Sequence, residues 1–122
     1  MKIELIYLID QNGFHDVIKT WADQKGIEVA IIDPKSDDFL DLIDGMTLIH
    51  ENHNFSKEAE ELQNYLNKNN RPTHKIDING TVAATASNFT MWTERNKTKK
   101  LLLVGGLEVI QNPNLNRFLS KI

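Results

Sequence analysis

Apolar residues fall in two alternating rhythms along this chain. Ile3 to Ile9 is almost unbroken, as in a strand covered on both faces. Asp10-Gln11-Asn12-Gly13 interrupts it. Phe14, Val17, Ile18, Trp21 and Ala22 then recur at helical spacing, and Lys25-Gly26 ends that helix. A second strand, Ile27 to Ile32, stops at Asp33-Pro34. Ser36 or Asp37 can cap a short helix carrying Phe39, Leu40, Leu42 and Ile43. Met46 to His50 reads as the third strand. Ser56 caps a helix with a narrow stripe of Ala59, Leu62, Tyr65 and Leu66, which runs out at Asn69-Asn70 before Pro72.

The fourth strand, Thr73 to Ile78, differs from the others. Ile76 and Ile78 face one way, Lys75 and Asp77 the other, so one of its faces is less buried. Asn79-Gly80 turns the chain, and Thr81 can cap a helix reaching Arg95. Lys100 to Val104 is the fifth and most apolar strand, ended by Gly105-Gly106. After a turn at Asn112-Pro113-Asn114, Leu115, Phe118, Leu119 and Ile122 predict a short closing helix. Strands alternating with helices imply a parallel sheet with helices on both faces. The expectation is one α/β domain over 1–122, a three-layer α/β/α sandwich with five parallel strands. Its expected strand order is the flavodoxin-like 2-1-3-4-5.

Composition adds limits. The 122 residues suit one domain, 40% of them hydrophobic and 25% charged, which excludes disordered, collagen-like and coiled-coil chains. A net charge of −3 lacks the footprint of a nucleic-acid or anionic-membrane binder. The cluster Arg95, Lys97, Lys99 and Lys100 reads as dipole complementation at a helix C-terminus. There is no cysteine, which favours a reducing compartment and excludes thiol chemistry. Glu4 interrupts the first apolar run, no signal-peptide pattern follows, and no run reaches membrane-spanning length. The expected setting is cytoplasmic.

Ligands of open parallel sheets bind beyond the carboxyl ends of the strands, at the point where the strand order reverses. With the expected order that point lies between the first and third strands. The polar groups there are Asp10 and Asn12 after the first strand, His50 and Glu51 after the third, Asn79, Gly80 and Thr81 after the fourth, and Gly105 and Gly106 after the fifth. Asp10 with Glu51, or Glu51 with His50, would serve as an acid–base pair if the loops converge. Asn12, Asn79, Gly80, Thr81, Gly105 and Gly106 are candidate ligand-binding positions. Asn79-Gly80-Thr81 would offer backbone amides to an anion, and the two glycines would admit a close ligand. Asp10, Glu51, His50 and His53 are potential metal ligands, but His50-Glu51-Asn52-His53 lacks the helical two-histidine spacing, so no metal site is assigned. No Walker, dinucleotide or nucleophile-elbow motif is present, and the sequence specifies no cofactor. His15 and His74 read as surface residues.

At these residues the layout resembles a response-regulator receiver domain, with Asp10 after the first strand, Glu51 after the third and Thr81 after the fourth. Gln11 stands where receivers carry a second acid, and Val104-Gly105-Gly106 holds no lysine. The resemblance therefore implies a degenerate receiver used for protein contacts. From Thr47 onward the layout is also similar to glutaredoxins: His53-Asn54-Phe55-Ser56, the helix of Lys57 to Asn70, then Lys75 to Ile78. His53 and Ser56 stand where the redox cysteines would be. That resemblance implies a thioredoxin-like alternative for the C-terminal two-thirds.

Trp21 and Trp92 are expected to face the sheet, although Trp92 at a helix end could anchor a partner. The leading expectation is a signalling or protein-interaction module, with a protein partner or homodimer and neither nucleic acid nor membrane. The alternative is a phosphate- or nucleotide-binding protein or enzyme using the carboxyl-end crevice.

Overall fold

The computed structural model describes residues 2–122. Five strands form one sheet: β1 (Leu5–Leu8), β2 (Glu28–Ile31), β3 (Gly45–His50), β4 (Thr73–Asp77) and β5 (Lys100–Gly105). The helices are α1 (Gly13–Lys25), α2 (Phe39–Leu42), α3 (Lys57–Lys68), α4 (Val82–Arg95), α5 (Leu107–Ile110) and α6 (Asn114–Lys121). The single-turn α5 is an element that the periodicity did not reveal, because four residues carry no helical period.

All four strand ladders are parallel. Side chains alternate across the sheet and build two cores. Ile6, Leu8, Leu101, Leu103, Ile49 and Ile76 join α1, α4, α5 and α6 on one face. Tyr7, Leu102, Met46 and Leu48 join α2 and α3 on the other. Each fully buried Leu, Ile or Phe contributes roughly 1.5–3 kcal/mol relative to exposure. Trp21 lies in the first core and donates its indole N–H to the Leu119 carbonyl at 2.8 Å, tying α1 to α6. Trp92 packs partly buried against the same core. His74 is half-buried rather than on the open surface, stacked on Trp92 with ring centroids 5.3 Å apart.

The three-layer α/β/α architecture is as expected, but the strand order is not. It is β2-β1-β5-β3-β4, with β5 between β1 and β3. The physical reason lies in burial. Leu101, Leu102 and Leu103 are all buried, so β5 needs cover on both faces and neighbours on both sides. The alternating β4 and the half-exposed β2 take the edges. The thioredoxin-like alternative also falls, because β1 and β2 are integral to the same sheet as β3, β4 and β5.

Candidate ligand cleft at the carboxyl ends of the strands

Helix starts surround the carboxyl end of β5. Asn12 caps α1, its side-chain oxygen accepting from the His15 N–H at 3.2 Å. Ser56 caps α3 by accepting from the Ala59 N–H at 3.0 Å. Both satisfy backbone donors that a helix start leaves open. Gly105 ends β5 under the ring of Phe14, the second residue of α1. A Cβ at position 105 would collide with that ring, so only glycine lets α1 pack this closely. The need at Gly105 is this close approach rather than access for a ligand.

Between these elements lies an open cleft of about 570 Å³, within the range of small-molecule sites. Leu8, Phe14, Leu103, Val104 and Gly105 form its floor, with Leu62 and Tyr65 of α3 along one side. Its rim carries Asp10, Asp33, Glu58 and Glu61 against one cation, Lys35. A shallower recess of about 360 Å³ adjoins it, lined by His53, Asn54, Phe55, Gly106 and Glu108 and sharing Ser56, Ala59, Val104 and Gly105. The crevice thus runs over the end of β5.

A second polar group lies at the ends of β3 and β4. Glu51 to Asn54 forms a tight turn closed by Asn54 N–H to the Glu51 carbonyl at 2.9 Å. Its central residues, Asn52 and His53, have φ of 52° and 64°, a left-handed conformation uncommon outside glycine. The turn is held from both sides. The His53 N–H donates to His50 Nδ1 at 3.1 Å, and the Asn52 N–H donates to the Asp77 carboxylate at 3.4 Å. Asp77 also accepts from the Asn79 N–H at 3.0 Å. Asn112 donates to Glu51 Oε2 at 3.1 Å and to Asn79 Oδ1 at 2.8 Å, pinning the segment before α6 onto this end of the sheet.

Electrostatics follow from these contacts. Burial holds the His50 imidazole below its ordinary value; Asp77 pulls it back up, while His53 and Lys75 press it further down. The Asn79 N–H is the main cause of the lowered Asp77 carboxyl, with Asn52, His50 and His53 adding to it against a smaller desolvation cost. Burial likewise lowers His74.

The expected site residues therefore divide. Asp10, Asn12 and Gly105 line the cleft, and Gly106 lines the adjoining recess. Glu51 and Asn79 meet through Asn112 outside both. Gly80 donates its N–H to the Asp77 carbonyl, and Thr81 starts α4 without a side-chain cap bond. His50 is buried beneath the turn with 3% exposure. Because β5 intervenes, the strands bearing Asp10 and Glu51 are two spacings apart, about 10 Å. The cleft also recruits Asp33, Lys35, Ser56, Glu58, Glu61 and Tyr65. Asp33 and Ser56 were legible as a strand stop and a helix cap, but nothing in the sequence marked them as neighbours. Among the described residues, no three histidine or acidic side chains gather as a metal ligand set, and no helix is long and apolar enough to cross a membrane.

Layers, parallel ladders and a carboxyl-end crevice define a doubly wound, three-layer α/β/α domain with strand order β2-β1-β5-β3-β4. A solved structure from Syntrophus aciditrophicus SB, described as a "Putative molybdenum carrier protein", shares this fold with a TM-score of 0.69 over 98% of this chain and 92% of that one, at 14% identity. No protein-family model matches the chain, and no curated protein matches it by sequence.

Proposed function

We propose that this chain is a small-molecule-binding domain whose ligand occupies the cleft over the end of β5. The observation that supports the reading is the cleft itself, about 570 Å³ with an apolar floor and charged groups confined to its rim. That combination is typical of a small-molecule site: apolar surface supplies affinity and a few polar groups supply orientation. Asp10 and Asn12 are its polar contacts from the end of β1 and the start of α1. A reducing, cytoplasmic setting suits a chain without cysteine.

The test is thermal unfolding of the protein against nucleosides, nucleotides, phosphate, molybdate and flavin and nicotinamide cofactors. A ligand held at 100 times its dissociation constant adds about 2.7 kcal/mol, a rise on the order of 10 °C for a domain of this size. The expected result is a shift that disappears in Leu62→Trp, which fills the cleft, while the circular dichroism of that variant is unchanged. A flat panel would overturn the reading. It would favour the signalling or interaction module, whose protein partner or second copy would then be sought by pull-down and by sedimentation.

A further inference from the structure

We infer that a recess at the amino ends of the strands, at the opposite end of the sheet from the cleft, binds the phosphate group of a small organic phosphate monoester. The recess has a volume of about 450 Å³ and is lined by Lys2, Thr93, Glu94, Lys97, Thr98 and Lys99. Lys2 comes from the segment that leads into β1. The others come from the last turn of α4 and from the link between α4 and β5. Three lysines thus meet one carboxylate, a local excess of positive charge in a chain whose net charge is −3.

Basic residues just past a helix are ordinarily explained by the negative end of its dipole. The hydrogen bonds at the end of α4 leave these lysines free of that task. The chain leaves α4 through Asn96 and then Lys97, which sits in left-handed backbone with φ of 51°. The N–H groups of Asn96, Lys97 and Thr98 donate to the carbonyls of Trp92, Glu94 and Thr93 at 3.1, 3.2 and 2.9 Å. The Asn96 side chain donates to the Trp92 carbonyl as well, at 2.9 Å. The exposed carbonyls of the helix end are therefore answered by backbone and by Asn96. The Asp44 carboxylate is held by the backbone N–H groups of Lys99 and Lys100, each at 3.0 Å. Among the described residues, the ammonium groups of Lys2, Lys97 and Lys99 have no hydrogen-bond or ion-pair partner.

An independent observation comes from Thr98. It lines the recess yet is only 2% exposed, and its hydroxyl has no hydrogen-bond partner among the described residues. Buried polar groups are rarely left so, and a hydroxyl beneath three ammonium groups is a further donor for an oxyanion. A phosphate monoester carries close to two negative charges at neutral pH and three acceptor oxygens. That matches three cations and a hydroxyl better than a singly charged carboxylate does. The recess is also larger than a bare phosphate fills. Lysine stems and threonine methyls line the remainder with hydrocarbon, so the phosphate is carried on a small apolar body.

Calorimetric titration with phenyl phosphate, inorganic phosphate and benzoate tests this, with backbone amides followed by nuclear magnetic resonance. Phenyl phosphate is expected to bind most tightly of the three, to shift the amides of Lys97 to Lys100, and to weaken as salt rises. Lys97→Gln combined with Lys99→Gln changes two exposed side chains and should weaken it about tenfold, with thermal unfolding of the ligand-free protein unchanged. Thr98→Val, which keeps the branched shape, should also weaken it. Leu62→Trp, in the cleft at the other end of the sheet, should not, so this site and the cleft stand or fall separately. Absence of phenyl phosphate binding overturns the inference. Binding that Leu62→Trp abolishes and the lysine variant spares overturns it too, by moving the ligand to the cleft. Benzoate binding as tightly as phenyl phosphate would refute the phosphate group, and inorganic phosphate binding as tightly would refute the apolar body.

Discussion

The backbone N–H of His53 donates to Nδ1 of His50 at 3.1 Å, and the two imidazoles stack with centroids 5.0 Å apart. An acceptor at Nδ1 places the proton of neutral His50 on Nε2. The bond therefore exists only while Nδ1 is unprotonated, and it holds a turn whose His53 sits in left-handed backbone.

This makes the turn sensitive to acid. The native His50 imidazole lies below the ordinary value of 6.5, so the unfolded state binds the proton first. Stability is then fully present above 6.5, falls as pH drops below it, and levels off beneath the lowered native value. His74, lowered by burial, acts in the same direction. Urea denaturation across this range should show the loss, and it should shrink in His50→Asn. Nuclear magnetic resonance of the His50 ring should place its midpoint under 6.5. A midpoint at or above the ordinary value would refute the arrangement.

Asp77 carries the other half of the turn's support. Its carboxylate accepts the N–H groups of Asn79 and Asn52. Asp77→Ala should cost about 1–2 kcal/mol, the usual worth of hydrogen bonds to a charged group after partial solvent screening. Asp77→Asn, which retains an acceptor, should cost less. Equal costs for the two would mean that packing rather than acceptance matters at this position.

Gly105 and Phe14 form a matched contact at the cleft floor. Gly105→Ala should destabilise by about 1–3 kcal/mol, because α1 must shift to relieve the ring. Phe14→Leu should cost less in the Gly105→Ala background than in the parent, a coupling measurable by a double-mutant cycle. Strict additivity would show that the ring is not what meets the new methyl.

Thr47 lies in β3, and its hydroxyl is buried without a hydrogen-bond partner among the described residues. Thr47→Val keeps the β-branched shape and removes the unsatisfied group. A gain on the order of 1 kcal/mol is expected by chemical denaturation. A loss would mean that the hydroxyl has a partner in solution.

Much of the fold was legible in local pattern. Phe14, Ile18, Trp21 and Ala22 mark the inner face of α1, and all four are buried. Ser56 was recognisable as a cap because a hydroxyl before a helix accepts a backbone N–H wherever the helix goes. The site was less legible. Asp10, Asn12 and Gly105 were placed at the carboxyl ends of their strands, and the cleft contains them. Glu51 and Asn79 were grouped with them, yet their side chains are engaged by Asn112, 61 and 33 residues along the chain. Asn112 had appeared only as a turn residue.

The sequence by itself determined the identity of nearly every element, the parallel α/β class, and which side chains turn inward. Those follow from backbone sterics, capping and the 3.6- and 2-residue periods, which act over a few neighbours. Tertiary structure alone decided that β5 lies between β1 and β3, and hence that Asp10 and Glu51 stand on opposite sides of it while Asp33 and Tyr65 come to one cleft. Strand order depends on the competition of all five strands for the two-sided cover at the centre of the sheet. The buried β3 and β5 take interior places and the more exposed β2 and β4 take the edges, and the comparison is one that no local window of sequence contains.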